Sequence, residues 1–556
     1  MRTIHSRLGA ALLLAFGLLR TAHSQTAAPT PLPETRAERS QWRETSLEAD
    51  VGDFIRSLEE HFPGSLRVES MGRSSEGRDI PLLLLSADGR FSPEAAREAG
   101  RPVVMVIANI HAGEVDGKEA LLMVARDLLS GRLPPHHRSC LLVLAPNYNP
   151  DGNERIDAKN RSLHLKELWG QMGPEAGVGQ RPNAQNIDLN RDYMALRAPE
   201  SQALAAAYRR FWPDVFVDCH TTNGSIHAYE LTYDTAHALD SAAARPILYA
   251  RDTLLPAISR AVEDRSGLRS FFYGNFRDNA DPSSGWETYP ALPRYGSNYR
   301  GLTGRIDILL ESYSYASFET RCRVDYEWLR EIFAQCEARA AEIRAITSAA
   351  EAETIRRGAD PAPDDRVGID YGEIRRGRND RLVRAFPVHP LRPCEILAFD
   401  LESMRAHRVP GQEQVVWKQP FYARFLPTRT VRRPRAYVIP AGAEAVLSAL
   451  ARHGIRTETL QSARKAAEIE NDTLVDRTPR VPEGRGNGAE TIFWVRREMT
   501  SGEVAVGEIL VPMDQPLANV AIYLLEPESD DGLVTWGAFE DLEVGSGYPV
   551  RRVMRW

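Results

Sequence analysis

Four short runs of nearly continuous apolar residues constrain this fold more than any other feature: Pro102 to Ile110, Cys140 to Ala145, Phe211 to Cys219 and Arg305 to Leu310. Such runs, rich in valine and isoleucine and lacking strict alternation, suit strands covered on both faces. Between the first two, Glu114 through Leu129 carries apolar residues at helical spacing and meets Gly131, a helix-terminating residue. Strand and helix patterns that alternate in this way predict an α/β domain, with a mixed, mostly parallel central sheet flanked by helices.

Two of the runs lead into residues of metal-ligating type. His111 and Glu114 follow the first, at the expected junction of strand and helix, and His220 follows the third. Open α/β sheets build their sites at the carboxyl ends of strands, so all three side chains can converge above one sheet edge. Two imidazoles and a carboxylate are a zinc set. With no fourth protein ligand apparent, one coordination position is left for water, which predicts a single catalytic Zn2+ rather than a structural one. Alone, a His-x-x-Glu pattern arises by chance in chains of this size, and a strand-end histidine such as His220 commonly serves the core.

The residues between the runs supply an order. Ser74-Ser75-Glu76-Gly77-Arg78 lies upstream, Asn149-Pro150-Asp151-Gly152 follows the second run, Asp188-Leu189-Asn190-Arg191 follows a glycine-rich stretch, and Asp218-Cys219-His220 ends the third run. This succession resembles the zinc carboxypeptidases of the carboxypeptidase A type, the M14 peptidases, over roughly residues 45 to 350, in a form similar to exported bacterial members. The resemblance implies metal ligation by His111, Glu114 and His220, with Asp188 accepting from the His111 ring. It implies that Asn190 and Arg191 hold the substrate's terminal carboxylate, a task suited to a planar, permanently charged guanidinium. Glu311, emerging at the end of the fourth run, resembles the family's general base, which takes a proton from water and passes it to the leaving amine.

The oxyanion donor and the substrate-capping tyrosine are less sharply marked. Arg181 precedes the Asp-Leu-Asn-Arg core at the interval seen in the cytosolic branch of the family and is the expected oxyanion donor, with Arg161 in reserve. Tyr289, Tyr295 and Tyr299 all lie in the loop-rich stretch before Glu311, and Tyr299 is favoured because Asn298-Tyr299 lies nearest the base strand. The implied activity is zinc-dependent hydrolysis of the C-terminal peptide bond of peptides that carry a free carboxylate. The alternatives are a cell-wall peptide amidase or an N-acyl amino acid deacylase on the same fold, or a peptide-binding protein without catalysis.

Residues 1–24 read as a signal peptide. Arg2 and Arg7 precede an apolar run from Leu8 to Leu19, and small residues at Ala22 and Ser24 place cleavage before Gln25, so a periplasmic or secreted location is expected. The apolar run is too short to span a bilayer, and no stable membrane insertion is expected. A net charge of -7 carries no basic signature for nucleic acid, and five cysteines do not make a disulfide scaffold. Residues 25–44 read as a linker, 45–357 as the catalytic domain closed by one long helix from Asp325 to about Arg357, and 365–556 as a β-rich accessory region. In that last region Val504 to Val511 and Val520 to Leu525 read as strands, Ala443 to His453 as a helix, and the acidic Glu526 to Gly532 as a solvated turn, with calcium binding the rival reading.

Overall fold

The computed structural model describes residues 31–164, 167–376, 382–399, 414–480, 490–539 and 542–556. The predicted signal segment lies outside the described residues. The first ten strands in chain order are β1 (Leu66–Arg73), β2 (Asp79–Leu85), β3 (Val103–Ala108), β4 (Leu141–Ala145), β5 (Val215–Thr221), β6 (Leu231–Asp234), β7 (Ser270–Phe272), β8 (Asn275–Phe276), β9 (Trp286–Glu287) and β10 (Ile306–Ser312). Eight of them form one sheet in the order β1-β2-β4-β3-β5-β10-β6-β7.

The four apolar runs become β4, β3, β5 and β10, adjacent and mutually parallel at the centre of that sheet. Every residue of β3, β4 and β5 is buried, as continuous apolar character requires. Alternate side chains enter two hydrophobic clusters, with Val104, Val106, Val217 and Leu310 on one face and Val103, Met105, Ile107 and Phe216 on the other. Antiparallel neighbours β2 and β6 flank the parallel centre and make the sheet mixed, as expected.

Several expectations about boundaries are corrected. The closing helix is two helices, Phe318–Ala338 and Ala340–Ala359, separated at Arg339. Gly358, a residue type that usually breaks helices, lies inside the second. A Cβ there would meet the Met513 carbonyl oxygen at 1.7 Å, so glycine permits a close approach of helix to chain. From Pro33 onward the expected linker is folded against the catalytic region. Arg126 Nη1 donates to Glu38 at 2.8 Å and to the Pro33 carbonyl at 3.2 Å, and just past the linker buried Glu119 accepts from Thr45 Oγ1 and Ser46 Oγ, each at 2.8 Å.

Residues 33–556 form one compact unit. Beyond residue 365 a six-stranded sheet contains Ala436–Ile439, Arg464–Arg480, Glu490–Val504, Ile509–Pro512 and Arg551–Arg555, and a helix covers Glu444–His453. The strand expected across Val504 to Val511 is interrupted by a turn, and Val520 to Leu525 belongs to a wholly buried helix, Ala518–Leu525. One hydrophobic cluster runs from Met105 and Phe216 of the central sheet to Ile522 and Leu525 of that helix. The five cysteines are all free, and no described helix is long and apolar enough to cross a membrane.

Candidate metal centre

The site begins where β3 ends. Asn109 adopts a left-handed backbone with φ of 63°, held by bonds from its Nδ2 to Asn147 Oδ1 at 2.8 Å and to Asn153 Oδ1 at 3.0 Å. This bend carries the chain into the turn His111-Ala112-Gly113-Glu114, closed by the Glu114 N–H donating to the His111 carbonyl at 2.8 Å. The following helix starts at Asp116, two residues later than the sequence suggests, so both ligands belong to a turn rather than to regular elements. Asp116 fastens that helix to the sheet: it accepts from Ser312 Oγ at 2.7 Å and Arg321 Nε at 2.9 Å, and from Thr221 Oγ1.

His111 Nδ1, Glu114 Oε2 and His220 Nδ1 form a triangle with all three sides 3.1 Å. The outward nitrogens face carboxylates. His111 Nε2 is 3.1 Å from Asp188 Oδ1, and His220 Nε2 is 3.1 Å from Asp218 Oδ1. Each carboxylate favours the tautomer with its proton on Nε2, which leaves both Nδ1 lone pairs directed at the centre beside an anionic oxygen. Three acceptors at that separation repel unless a cation lies among them. An ion about 2.1 Å from each at tetrahedral angles requires ligand spacings of about 3.4 Å, close to those found. The residues therefore fit zinc, and they are the one such cluster among the described residues.

Strand alternation puts Asp218 and His220 on one side of β5, which gives Asp218 a supporting role that the Asp-Cys-His motif alone does not assign. Its other oxygen lies 3.4 Å from Arg300 Nη2, and Arg300 Nε pairs with Asp307. Arg300 and both carboxylates are buried. Replacing Asp218 with Asn should lower zinc affinity about 10- to 100-fold, as removal of a carboxylate behind a ligand histidine does. Competition against a calibrated chelator measures this, and an affinity within twofold of the parent would refute the role.

Asp188 and Arg181 complete the support. Asp188 Oδ2 accepts from Arg181 Nε at 2.9 Å, and Arg181 Nη1 lies 3.3 Å from Glu114 Oε1. Arg161, the reserve oxyanion candidate, is committed elsewhere: it donates to Glu114 Oε1 at 2.8 Å and to the Thr221 and Thr222 carbonyls at 3.2 and 2.7 Å, and also pairs with Gln171. Glu311 sits on β10 in register with His220 on β5. Burial, reinforced by the Glu114 charge, pushes its carboxyl up to about 7 against the pull of His220, Arg161 and Arg181.

A cleft of about 670 Å³ brings His111, Glu114, His220, Arg181, Asn190, Arg191 and Glu311 together. Asn190 accepts from the Gly296 N–H at 2.9 Å through Oδ1, which leaves its Nδ2 donors for a ligand. The Arg191 guanidinium stacks 4.1 Å from the Tyr295 ring centre. Tyr299 is not in the cleft, contrary to expectation. It faces the other way from the short helix Gly296–Leu302, and its hydroxyl bonds His453 Nδ1 at 2.9 Å. Tyr273, Tyr289 and Tyr295 line the cleft instead, and Tyr289 is tied to the Thr235 carbonyl at 2.6 Å.

The family model for zinc carboxypeptidases matches residues 51–230. Human (Homo sapiens) carboxypeptidase D is 32% identical over 151 residues, covering 24% of this chain and 10% of its own, and carboxypeptidase Z of Mus musculus is 36% identical over 130 residues, covering 22% and 17%. The chain thus spans less than a fifth of the length of either relative. A metallo-carboxypeptidase from Burkholderia cenocepacia overlays with a TM-score of 0.37 at 20% identity, across 52% of this chain and 69% of that one. The segment matched by the zinc carboxypeptidase model, residues 51–230, is the one that carries His111, Glu114 and His220.

Proposed function

We propose that this chain is an exported zinc carboxypeptidase that removes the C-terminal residue from peptides with a free carboxylate. The observation that carries the reading is the lone-pair triangle of His111, Glu114 and His220, opening on a cleft that also holds Glu311, Arg181 and Arg191. Zinc, when bound, polarises the scissile carbonyl and acidifies the attacking water. Glu311 is then the group that accepts the water proton and returns it to the leaving amine. Arg181 has Nε on Asp188 and Nη1 near Glu114, so its remaining N–H donors serve the developing oxyanion. The Arg191 guanidinium and the Asn190 amide bind the terminal carboxylate. Export rests on the features of residues 1–24 alone.

The test is a panel of peptides with free or amidated C-termini, incubated with the zinc-loaded protein and followed by mass spectrometry. Loss of one residue from free-acid peptides only is the expected result. Internal cleavage, or equal turnover of amidated peptides, would refute the reading.

The Glu311 value also predicts a pH dependence. The base is active only when ionised, so kcat/KM should fall tenfold per unit as pH drops through its pKa and level off above it. A dication beside the carboxyl adds to the pull of the neighbouring cations, so the acid limb should have its midpoint at or below about 7. A profile flat from pH 5 to 8 would contradict the assignment.

A further inference from the structure

Residues 526–531, expected to be a solvated acidic turn, are buried. Glu526 accepts from Tyr437 Oη at 2.6 Å and pairs with Arg552 at 3.3 Å, and Asp530 pairs with Arg384 at 2.9 Å. The last of the series reaches the catalytic region. Asp531 Oδ2 accepts from the Arg294 backbone N–H at 2.9 Å, and Asp531 Oδ1 lies 2.7 Å from both Arg294 Nε and Arg294 Nη2. The pair is almost wholly excluded from solvent, with side-chain exposures of 0% for Asp531 and 3% for Arg294.

Arg294 immediately precedes the two residues that contact the carboxylate-binding pair. Tyr295 stacks on Arg191, and the Gly296 N–H orients Asn190. The same segment is pinned twice more from the C-terminal region: the Tyr299 hydroxyl bonds His453, and the Leu302 carbonyl accepts from Asn519 Nδ2 at 3.2 Å. Three anchors from residues 453, 519 and 531 hold residues 294–302 from the C-terminal side, alongside the local bond from the Tyr295 N–H to the Leu292 carbonyl at 3.1 Å.

We infer that Asp531 is a positioning residue for the substrate's carboxylate pocket, acting through Arg294 to hold Tyr295 against Arg191 and Gly296 against Asn190. The C-terminal region is thereby part of the binding site. The two side-chain nitrogens converging on Asp531 Oδ1 fix the side chain of Arg294, and the bond from its N–H to Oδ2 fixes the backbone that leads into Tyr295. Loss of either lets the loop drift away from Arg191 without touching the metal ligands or Glu311. The inference rests on the carboxypeptidase reading for its kinetic consequence, but its structural consequence stands apart from activity.

The test uses Asp531→Asn in the full chain, with Arg294→Lys as a second variant that keeps the charge and loses the fork geometry. On an N-benzoyl dipeptide with a free carboxylate, KM should rise about tenfold, the scale of one weakened charge-assisted bond, with kcat within about threefold and zinc content unchanged. Amide hydrogen exchange should accelerate across residues 289–297 and stay slow in β3 and β5. Unchanged KM in both variants with an active parent overturns the inference and leaves the proposed function intact. Loss of kcat and zinc together would make the pair merely structural and also overturns it. Should the zinc-loaded parent leave the dipeptide intact, the carboxypeptidase reading fails on its own, and exchange across 289–297 decides: parent-like protection in both variants overturns the positioning role.

Discussion

Glu311→Gln should reduce kcat by about 10²- to 10⁴-fold while leaving KM within a few-fold of the parent and zinc bound at one per chain. The amide matches the carboxylate in shape and cannot take a proton from water, so the substitution removes the proposed base and keeps the cleft. The ligand triangle does not depend on it, because His111, Glu114 and His220 are oriented by Asp188, Asp218 and Arg161. The Gln variant should also lose the acid limb of the pH profile at whatever residual rate remains. Steady-state kinetics with metal analysis on the same preparation checks all three. Residual activity above a tenth of the parent would move the base to another residue, and a loss of zinc would make Glu311 part of the metal site instead.

Most of this site is legible in the sequence because the residues sit at the ends of strands whose apolar character is unambiguous. A continuous buried run fixes the strand, the first polar residues beyond it fall at the sheet's carboxyl edge, and the motif order then selects among them. His111, Glu114, His220 and Glu311 are reached by that logic, whereas Arg181, Asp188, Asn190 and Arg191 follow no strand and are legible only through the motif order; seven of the eight line the cleft and Asp188 lies behind His111. Tyr299 is misplaced by the same reasoning for a definite cause. Proximity to Glu311 along the chain says nothing about which way a seven-residue helix turns its side chains, and the partner that draws Tyr299 away, His453, lies 154 residues downstream.

The C-terminal errors share that origin. Ala518-Asn519-Val520-Ala521-Ile522-Tyr523-Leu524-Leu525 is apolar almost throughout, so it shows neither the helical nor the strand period, and its complete burial explains why. Glu526 to Asp531 looks solvated because its arginines, at positions 294, 384, 429, 497 and 552, are scattered across the chain. Charge counted locally says little when the neutralising charge arrives from another element.

The same principle gives the second large effect. Arg300→Leu should cost about 3–5 kcal/mol of stability, the penalty of stranding buried carboxylates whose partner has gone. Arg300 is fully buried, with Nε on Asp307, Nη2 on Asp218 and Nη1 donating to Tyr193 Oη at 2.9 Å. Its guanidinium carbon also lies 4.0 Å from the Phe216 ring centre, so both charge and packing are lost. Leucine fills part of the volume and satisfies neither carboxylate. Asp307, already raised by burial, would take up a proton, whereas Asp218 still faces the His220 Nε2–H at 3.1 Å and keeps its charge toward the metal site. The variant should therefore unfold at markedly lower denaturant yet hold zinc better than Asp218→Asn, which removes the carboxylate behind His220 itself. Chemical denaturation of both variants, with zinc affinity measured alongside, separates the two roles: parent-like stability in Arg300→Leu, or weaker zinc binding there than in Asp218→Asn, would show that the buried arginine does not act as the counter-charge assigned to it.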